Sequence, residues 1–402
     1  MENIFTAIIP AYGSVNIVKN SVISLVSQWI PDNSFKLEII LVDDNPKMDY
    51  SYFLSEEFGV LYDKSKVSLS ILKNKSNYGQ GVSRNIGIEN AHSNWILFCD
   101  EDDIYAPNAL YRFWEVLNEQ HYGGDEPKAV GLIAAPIYSF APNKYREIIS
   151  GRNIWPNAKL YNKEFLDYFM IRFPDGDNSH RSEDYPFVSM VNYALDNTSL
   201  FKRIDFTEEA DTFYYWMPNI ESRSRVHPYY RSRITSNTMY SSILIYDYMN
   251  KFNHRFNIEQ QNDEYVKLWI LRVCTSIYLC HFMYLFDLSN GWATYGDFTE
   301  EIWNSYNKYL TKLRKSLSKY WNEYTPGTIL HFLNESMELD KSRNEYIEPW
   351  LNSFESWVTD GFITDKMSYN EIKDYVKKLE FNEARQEVNS KYVKSWNKRH
   401  EL

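Results

Sequence analysis

Short apolar runs alternate with segments of helical spacing through the N-terminal quarter of the chain. Phe5–Ile9, Leu37–Val42 and Val67–Leu72 are apolar or β-rich runs, and Trp95–Cys99 is a fourth. Between the first two, apolar residues from Val15 to Trp29 recur every three or four positions, as on the buried face of a helix. This alternation predicts a mainly parallel sheet flanked by helices. The loops that follow its strands should meet at one edge, where open α/β sheets bind their ligands.

The pattern changes twice farther along the chain. Gly131–Tyr138 predicts another strand, after which the pattern is irregular to about Tyr240. Beyond that point apolar residues follow helical spacing and glycine is scarce. Because 402 residues exceed the usual size of a single core, we expect two domains: an α/β domain over residues 1–240 and a mainly α-helical domain over residues 241–402.

Charge and composition exclude some classes of function. A formal net charge of -11 argues against a nucleic-acid-binding surface. Aromatic residues make up 17% of the chain, which suits stacking on bases or sugar rings. The three cysteines lie in apolar runs, and no charged leader precedes the first strand. The most apolar stretch, residues 268–288, is interrupted by Arg272 and His281. These features predict a cytoplasmic protein with at most peripheral membrane contact.

Four carboxylates follow the fourth strand directly. Asp100, Glu101, Asp102 and Asp103 would repel one another unless a cation, a set of hydrogen-bond donors or solvent held the charge. A divalent metal is the simplest explanation. The alternative is an acidic surface turn that caps the helix beginning near Pro107.

Five motifs together resemble family 2 glycosyltransferases of the GT-A fold. The resemblance covers roughly the first 240 residues and implies a Rossmann-like mixed sheet flanked by helices, here followed by a helical add-on domain. It also implies a nucleotide-diphosphate sugar donor, favouring UDP, and a Mn²⁺ or Mg²⁺ ion. The motifs are Ile8-Ile9-Pro10-Ala11-Tyr12, Val42-Asp43-Asp44, Asn77-Tyr78-Gly79 with Ser83-Arg84-Asn85-Ile86-Gly87, Phe98 to Asp103, and Glu183-Asp184.

The first two motifs supply the predicted nucleotide contacts. By the resemblance, Pro10 and Tyr12 lie at the base, with Tyr12 stacking on a pyrimidine, while Asp44 accepts a hydrogen bond from the ring N–H. Asp43 reaches the ribose or holds the loop. The alternatives are a core aromatic for Tyr12 and a turn-forming role for Asp44. Gly13 stands where many relatives have asparagine, which puts only the local loop contacts in doubt.

The next motifs supply the predicted metal and donor-sugar contacts. Asp102 is expected to bind the metal, and Asp100 and Glu101 to line the donor site, with Asp100 at the ribose or a metal-bound water. Asn77 and Gly79 would shape the loop beside the donor sugar. The remaining residue is Arg84, which either neutralises phosphate or braces the acidic loop.

The last motif supplies a candidate base. In inverting members of the family an aspartate at this position removes the acceptor hydroxyl's proton, so we expect this role of Asp184. The alternative is a Glu183-Asp184 pair placed at a helix N-terminus by the helix dipole. A basic cluster ending in Arg233 is a possible clamp for the leaving diphosphate, and His227 within it is a metal ligand or an ordinary histidine.

The expected activity is inverting transfer of a hexose, with galactose or glucose favoured, from a UDP-sugar to a hydroxyl of a glycan or glycoprotein acceptor. The acceptor would belong to a surface glycoprotein or to a capsular or cell-wall polysaccharide. The competing hypothesis is a non-catalytic glycan-binding or partner-stabilising subunit that keeps the same fold.

Overall fold

The computed structural model describes two stretches near the N-terminus and shorter ranges beyond them. These are residues 4–32, 34–122, 129–140, 147–149, 151, 153, 155–175, 183–206, 213–217, 241, 244–245, 248–258, 300, 304, 367–371 and 374. The chain divides into two compact units, one of which comprises Met1–Glu221 and Asp247–Ile258 and holds all the strands given below. The helical domain expected over residues 241–402 lies almost entirely outside the described residues, so it and its boundary stay predictions.

A seven-stranded mixed sheet forms the centre of the first unit, with the order β10-β6-β9-β4-β1-β2-β3. Strand β9 runs antiparallel to both of its neighbours, whereas the other pairs in this sheet are parallel. A four-stranded sheet with the order β5-β11-β7-β8 lies in the same unit. The strands are β1 Ile4–Ala11, β2 Lys36–Asp43, β3 Val67–Lys73, β4 Trp95–Phe98, β5 Ile104–Tyr105, β6 Ala129–Ala134, β7 Ile137–Ser139, β8 Glu147–Ile149, β9 Lys159–Asn162, β10 Phe201–Asp205 and β11 Tyr214–Trp216.

Helices connect these strands, and the first of them matches the sequence pattern. Helix α1 spans Val15–Val26 and buries Val18, Val22 and Leu25, as the helical spacing predicted. The helices that follow are α2 Glu56–Gly59, α3 Gln80–Asn90, α4 Ala109–Tyr122, α5 Lys163–Tyr168 and α6 Asp184–Asp196, and a 3₁₀ turn covers Ser51–Leu54. The α/β class and the mixed sheet flanked by helices are confirmed.

Helix α3 lies unusually close to β1. A Cβ atom at Gly87 would stand 2.4 Å from Ile8 Cγ2, so no side chain fits at this position without movement of the strand or the helix. The glycine therefore allows the close packing that holds the N-terminal end of α3 over the carboxyl edge of the sheet.

The prediction of a single strand over Gly131–Tyr138 is wrong, because the chain forms two strands there. Strand β6 ends at Ala134 and pairs in the large sheet, whereas β7 begins at Ile137 and pairs in the small sheet. Pro136 stands between them and has no N–H to continue a ladder. The chain thus crosses from one sheet to the other at this proline.

None of the helices in the described part of the chain is long and apolar enough to cross a membrane.

Candidate functional site

Three of the sequence motifs meet at the carboxyl edge of β1, β2 and β4, as expected. The Asp44 N–H donates to the Ala11 carbonyl at 2.8 Å, which joins the ends of β2 and β1. Glu101, in the loop after β4, accepts from the backbone N–H groups of Tyr12 and Gly13, both at 2.7 Å from its Oε2. The parallel strands therefore bring residues 89 positions apart in sequence into contact.

Glu101 is held in place by the end of β1. Besides its two carboxylate bonds, its carbonyl oxygen accepts from Ser21 Oγ at 2.5 Å. Burial raises the pKa of Glu101, while the N–H groups of Gly13 and Tyr12 oppose this rise. A Cβ atom at Gly13 would lie 3.2 Å from Glu101 Oε2. Glycine at position 13 therefore makes room for the Glu101 carboxylate.

Asp103 is buried and tied to the small sheet. Its Oδ2 accepts from the Tyr214 hydroxyl at 2.6 Å, and its Oδ1 accepts from the Met217 N–H at 2.8 Å. Burial, with the charges of Asp100 and Asp102, raises the pKa of Asp103 well above its usual range. These two hydrogen bonds hold Asp103 in place and so support the acidic loop.

Asp100 is also engaged through both of its carboxylate oxygens. Its Oδ1 lies 2.7 Å from Arg84 Nη2, and its Oδ2 accepts from Asn157 Nδ2 at 2.9 Å. Hydrogen-bond donors thus bind three of the four clustered carboxylates, those of Asp100, Glu101 and Asp103. These hydrogen bonds stabilise much of the clustered negative charge, for which the sequence analysis gave a bound metal as the simplest explanation.

Asp102 is half-buried, as Asp100 and Glu101 are, whereas Asp103 is buried. In the part of the chain that the structure describes, no group of three His, Cys, Asp or Glu side chains could hold a metal ion. His227 and Arg233 lie outside the described residues, so the metal and phosphate roles expected of them stay predictions.

The carboxylate of Asp44 fastens the glycine-bearing loop before α3. Its Oδ1 accepts from Asn74 Nδ2 and from the Tyr78 N–H, and its Oδ2 accepts from the Gly79 N–H, all at 2.8 Å. Asn77 Oδ1 also accepts from the Gly79 N–H at 3.0 Å. Gly79 has a φ of 87°, a backbone conformation that favours glycine. Asp44 therefore has the loop-forming role that was the alternative to base recognition, and the nucleotide contact remains untested.

Asp43 and Pro10 are buried in the same edge. Asp43 Oδ1 accepts from the Asn45 N–H at 3.0 Å, and its Oδ2 lies 3.3 Å from Lys73 Nζ. Pro10 pairs with Val42 in the sheet. These contacts favour a loop-holding role for Asp43 over a direct ribose contact.

Two tyrosine rings are exposed beside this edge. Tyr12 is 41% exposed and Tyr78 is 39% exposed, so neither is a core aromatic. Their backbones are fixed by Glu101 and Asp44 respectively. The site thus has two partly exposed aromatic rings whose backbones are anchored.

Arg84 is fully buried among carboxylates. Its Nη2 lies 2.7 Å from Asp100 Oδ1, and its Nη1 lies 2.8 Å from Asp184 Oδ1 and 3.5 Å from Glu183 Oε1. The guanidinium stands 5.1 Å from the centre of the Phe173 ring. Of the two roles expected for Arg84, these contacts show bracing of the acidic loop.

Glu183 and Asp184 begin helix α6, and an aromatic stack fixes them. Phe187, one turn into the helix, stacks on Phe173 with ring centres 3.8 Å apart and planes at 3°. Asn85 holds the Phe173 backbone by two hydrogen bonds, at 2.8 and 2.9 Å. The pair thus occupies the helix N-terminus that was the alternative explanation, and it also faces the acidic loop through Arg84.

Both carboxyl groups of this pair have raised pKa values. Burial, together with the charge of Asp184, raises the pKa of Glu183 to about 8. Burial also raises the pKa of Asp184 to about 6, although Arg84 opposes the rise. The Asp184 side chain is still 27% exposed, so solvent or a substrate can reach it. A carboxylate with these properties is suited to accept a proton near neutral pH.

Two residues of this site had no role in the sequence analysis. Asn157 donates to Asp100, and the fully buried Lys159 donates to Asn153 Oδ1 at 2.8 Å and to the Trp155 carbonyl at 2.5 Å. Burial, followed by repulsion from Arg203, lowers the pKa of Lys159 to about 7. Both residues precede or begin β9, and because this strand is antiparallel its start lies at the carboxyl edge of β4. The segment Lys159-Leu160-Tyr161-Asn162 carries no pattern that would have singled out either residue.

The N-terminal part of this α/β chain is similar to known glycosyltransferases. Residues 6–165 match the family described as Glycosyl transferase family 2. Over these residues the chain is similar to family 2 glycosyltransferases, as the motifs indicated.

Two of the relatives are bacterial proteins whose names refer to teichoic acid or to poly(ribitol phosphate). Minor teichoic acid biosynthesis protein GgaA of Bacillus subtilis (strain 168) is 32% identical over 214 residues, which cover 52% of this chain and 42% of that protein. Poly(ribitol-phosphate) beta-N-acetylglucosaminyltransferase TarS of Staphylococcus aureus (strain Mu50) is 27% identical over 200 residues, covering 47% of this chain and 32% of TarS. Each match thus spans less than half the length of the relative.

The crystal structure of S. aureus TarS has a similar fold. It matches 93% of this chain and 55% of its own, with a TM-score of 0.52 and 15% sequence identity. At this identity the likeness concerns the fold.

Proposed function

We propose that this protein is an inverting glycosyltransferase that transfers a sugar from a UDP-sugar to a hydroxyl group of a cell-wall polymer of the teichoic acid kind. One observation supports the proposal above all. The candidate base Asp184 and Asp100, which begins the acidic loop after β4 and is called here the donor loop, both contact the guanidinium of Arg84. A base beside the donor loop is what transfer to an acceptor hydroxyl requires.

The donor end of the site would be the edge formed by Tyr12, Tyr78 and the acidic loop. The exposed rings offer stacking faces for the base of a nucleotide. The names of GgaA and TarS support a teichoic acid acceptor, and the name of TarS adds N-acetylglucosamine to the candidate sugars. Galactose and glucose remain the sugars favoured by the sequence, and a surface glycoprotein remains the other acceptor to be tested.

A divalent cation fits this site through Asp102. Hard cations take oxygen ligands and commonly complete their coordination with phosphate oxygens and water, so one half-buried carboxylate beside a donor diphosphate suffices. Mn²⁺ or Mg²⁺ held there would offset the negative charge of the leaving diphosphate.

Residues of this chain would carry out the proton transfer that accompanies sugar transfer. The Asp184 carboxylate takes the proton of the acceptor hydroxyl while the oxygen of that hydroxyl forms a bond to C1 of the sugar. The bond between C1 and the diphosphate breaks on the opposite face, so the configuration at C1 inverts. Asp184 then releases its proton to solvent, which restores the base for another cycle.

The test is release of the nucleoside diphosphate from a panel of nucleotide sugars, with poly(ribitol phosphate) or a glycoprotein as acceptor and with Mn²⁺ or chelator. We compare wild type with Asp102→Ala and Asp184→Asn, and with Asp63→Asn in an exposed loop as a matched control. Transfer should require the cation, fall by about 100-fold or more in Asp184→Asn and persist in Asp63→Asn. Binding of a glycan without turnover of any donor would instead favour the non-catalytic subunit.

A further inference from the structure

Arg84 occupies an unusual electrostatic position between two parts of the proposed site. Its two terminal nitrogens contact different carboxylates, Asp100 on one side and Asp184 on the other, at 2.7 and 2.8 Å. Both are hydrogen-bond distances, and a guanidinium is planar, so the two carboxylates are held at a fixed spacing.

The protein encloses the guanidinium on its remaining sides. Phe173 covers one face of it, and the side chain has no solvent-exposed surface. Its Nε is buried and has no hydrogen-bond partner among the residues that the structure describes. Gly81 allows the first turn of α3 to approach Glu183, because a Cβ atom there would lie 3.1 Å from Glu183 Cβ. An arginine so enclosed by its own chain is poorly placed to bind a donor phosphate.

We propose that Arg84 is a positioning residue that holds Asp184 ionised and aimed at the acceptor by fixing it to Asp100 of the donor loop. This inference rests on the proposed function for its catalytic meaning. In this proposal Arg84 positions the base Asp184 and does not bind the diphosphate. The distance between the base and the donor loop then depends on the Arg84 side chain.

The charges around Asp184 set the direction of the expected change. Arg84 opposes the rise in the Asp184 pKa that burial causes, whereas Asp100 adds to it. Removing Arg84 should therefore raise the Asp184 pKa, and removing the charge of Asp100 should lower it. The charged and titratable groups facing Asp184 are Arg84 from α3, Asp100 from the loop after β4, Lys159 and Tyr161 from β9, and the adjacent Glu183.

The first measurement is the pH profile of kcat/KM for sugar transfer. In Arg84→Gln the acidic limb should move up by about 1 to 3 pH units, and the lost activity should return as the pH rises through that limb. The KM for the donor should change little. A raised donor KM with an unmoved limb would overturn the proposal and make Arg84 a phosphate ligand. The matched control is Arg112→Gln on the surface of α4, which should leave the profile in place.

A second measurement does not depend on turnover. The free energy of unfolding is measured against pH for Asp184→Asn and for wild type. The difference, variant minus wild type, should increase with pH until Asp184 is ionised in the folded protein. The upper inflection of this difference therefore reports the pKa of Asp184 in the folded protein. The same difference in an Arg84→Gln background should reach its inflection at higher pH. If no donor turns over yet this inflection moves, the proposed function fails and the role of Arg84 in ionising Asp184 stands. If turnover occurs and neither inflection moves, the proposal for Arg84 fails alone.

Asp100→Asn provides the second variant should Arg84→Gln not fold. The new amide keeps an acceptor for Arg84. Asn157 Oδ1 is buried with no hydrogen-bond partner in the described part of the chain, and it can accept from the new N–H group after the Asn157 amide rotates. The Asp184 inflection should then move to lower pH. A shift upward, or none, would contradict the proposal.

Discussion

Tyr214 joins the small sheet to the acidic loop by placing its hydroxyl between Asp103 and Asp100. The hydroxyl donates to Asp103 Oδ2 at 2.6 Å and accepts from the Asp100 N–H at 3.2 Å. One phenol thus fixes two of the four clustered acids, and the position of the donor loop depends on a strand more than one hundred residues away in sequence.

Tyr214→Phe should therefore destabilise the protein. The buried Asp103 carboxylate would lose its hydroxyl donor, which costs about 1.5 to 3 kcal/mol for a hydrogen bond to a charged group. The shift in urea midpoint measures the loss. Tyr168→Phe removes the hydroxyl of a 41% exposed ring outside the site and should change the midpoint little. Equal effects of the two changes would show that the Asp103 contact contributes nothing.

Gly87→Ala should be destabilising even though alanine favours helices. The new Cβ would stand 2.4 Å from Ile8 Cγ2, and overpacking of this kind costs about 1 to 3 kcal/mol. Gly59→Ala is the matched control, since its Cβ would meet only the flexible end of Lys64. Thermal unfolding of the two variants should separate them, with Gly59→Ala close to wild type. A stable Gly87→Ala would mean that α3 can move away from β1 without cost.

The activity should depend on the ionisation of Asp184. A general base works when deprotonated, so kcat/KM should rise with pH and level off above the raised pKa of about 6. Transfer rates between pH 5 and 8, each at a fixed ionic strength, test this expectation. An acidic limb near pH 4 would indicate that the base has the ordinary pKa of a solvent-exposed carboxylate.

Lys159 should make stability depend on pH in the opposite sense to a buried acid. Its pKa in the folded protein, about 7, is below the ordinary value of 10.5, so the unfolded chain binds more protons between these limits. The free energy of unfolding should therefore rise with pH in this window, and Lys159→Met should remove that contribution. Relative to wild type, the variant should be most stable near pH 6 and lose this advantage toward pH 10. Parallel curves for the two proteins would contradict the lowered pKa.

The early strands, their parallel order and the meeting of three motifs at one edge could all be predicted from the sequence. Apolar runs such as Leu37–Val42 identify buried strands, and the connection rules for alternating strands and helices then fix which ends converge. The convergence of Asp44, Tyr12 and Glu101 followed from these rules without knowledge of any contact.

The partners of individual carboxylates could not be predicted in the same way. Asn157 reaches Asp100 because β9 runs against its neighbours, and a strand of four residues has too little pattern to reveal its direction. The division at Pro136 was missed for a similar reason, since β7 has three residues and pairs with β11 far along the chain. Local pattern identifies elements, whereas the satisfaction of buried charge depends on which distant segments come together.

The close approach of Gly13 and Glu101 also constrains how this domain can diverge. A side chain at position 13 would crowd the carboxylate that binds the end of β1, so the two sites are expected to change together during evolution. A lineage with asparagine at position 13 would need a shorter residue at position 101 or a displaced loop. Through this pair, an exchange at position 13, just after the first strand, would require a change at position 101, although 88 positions separate them.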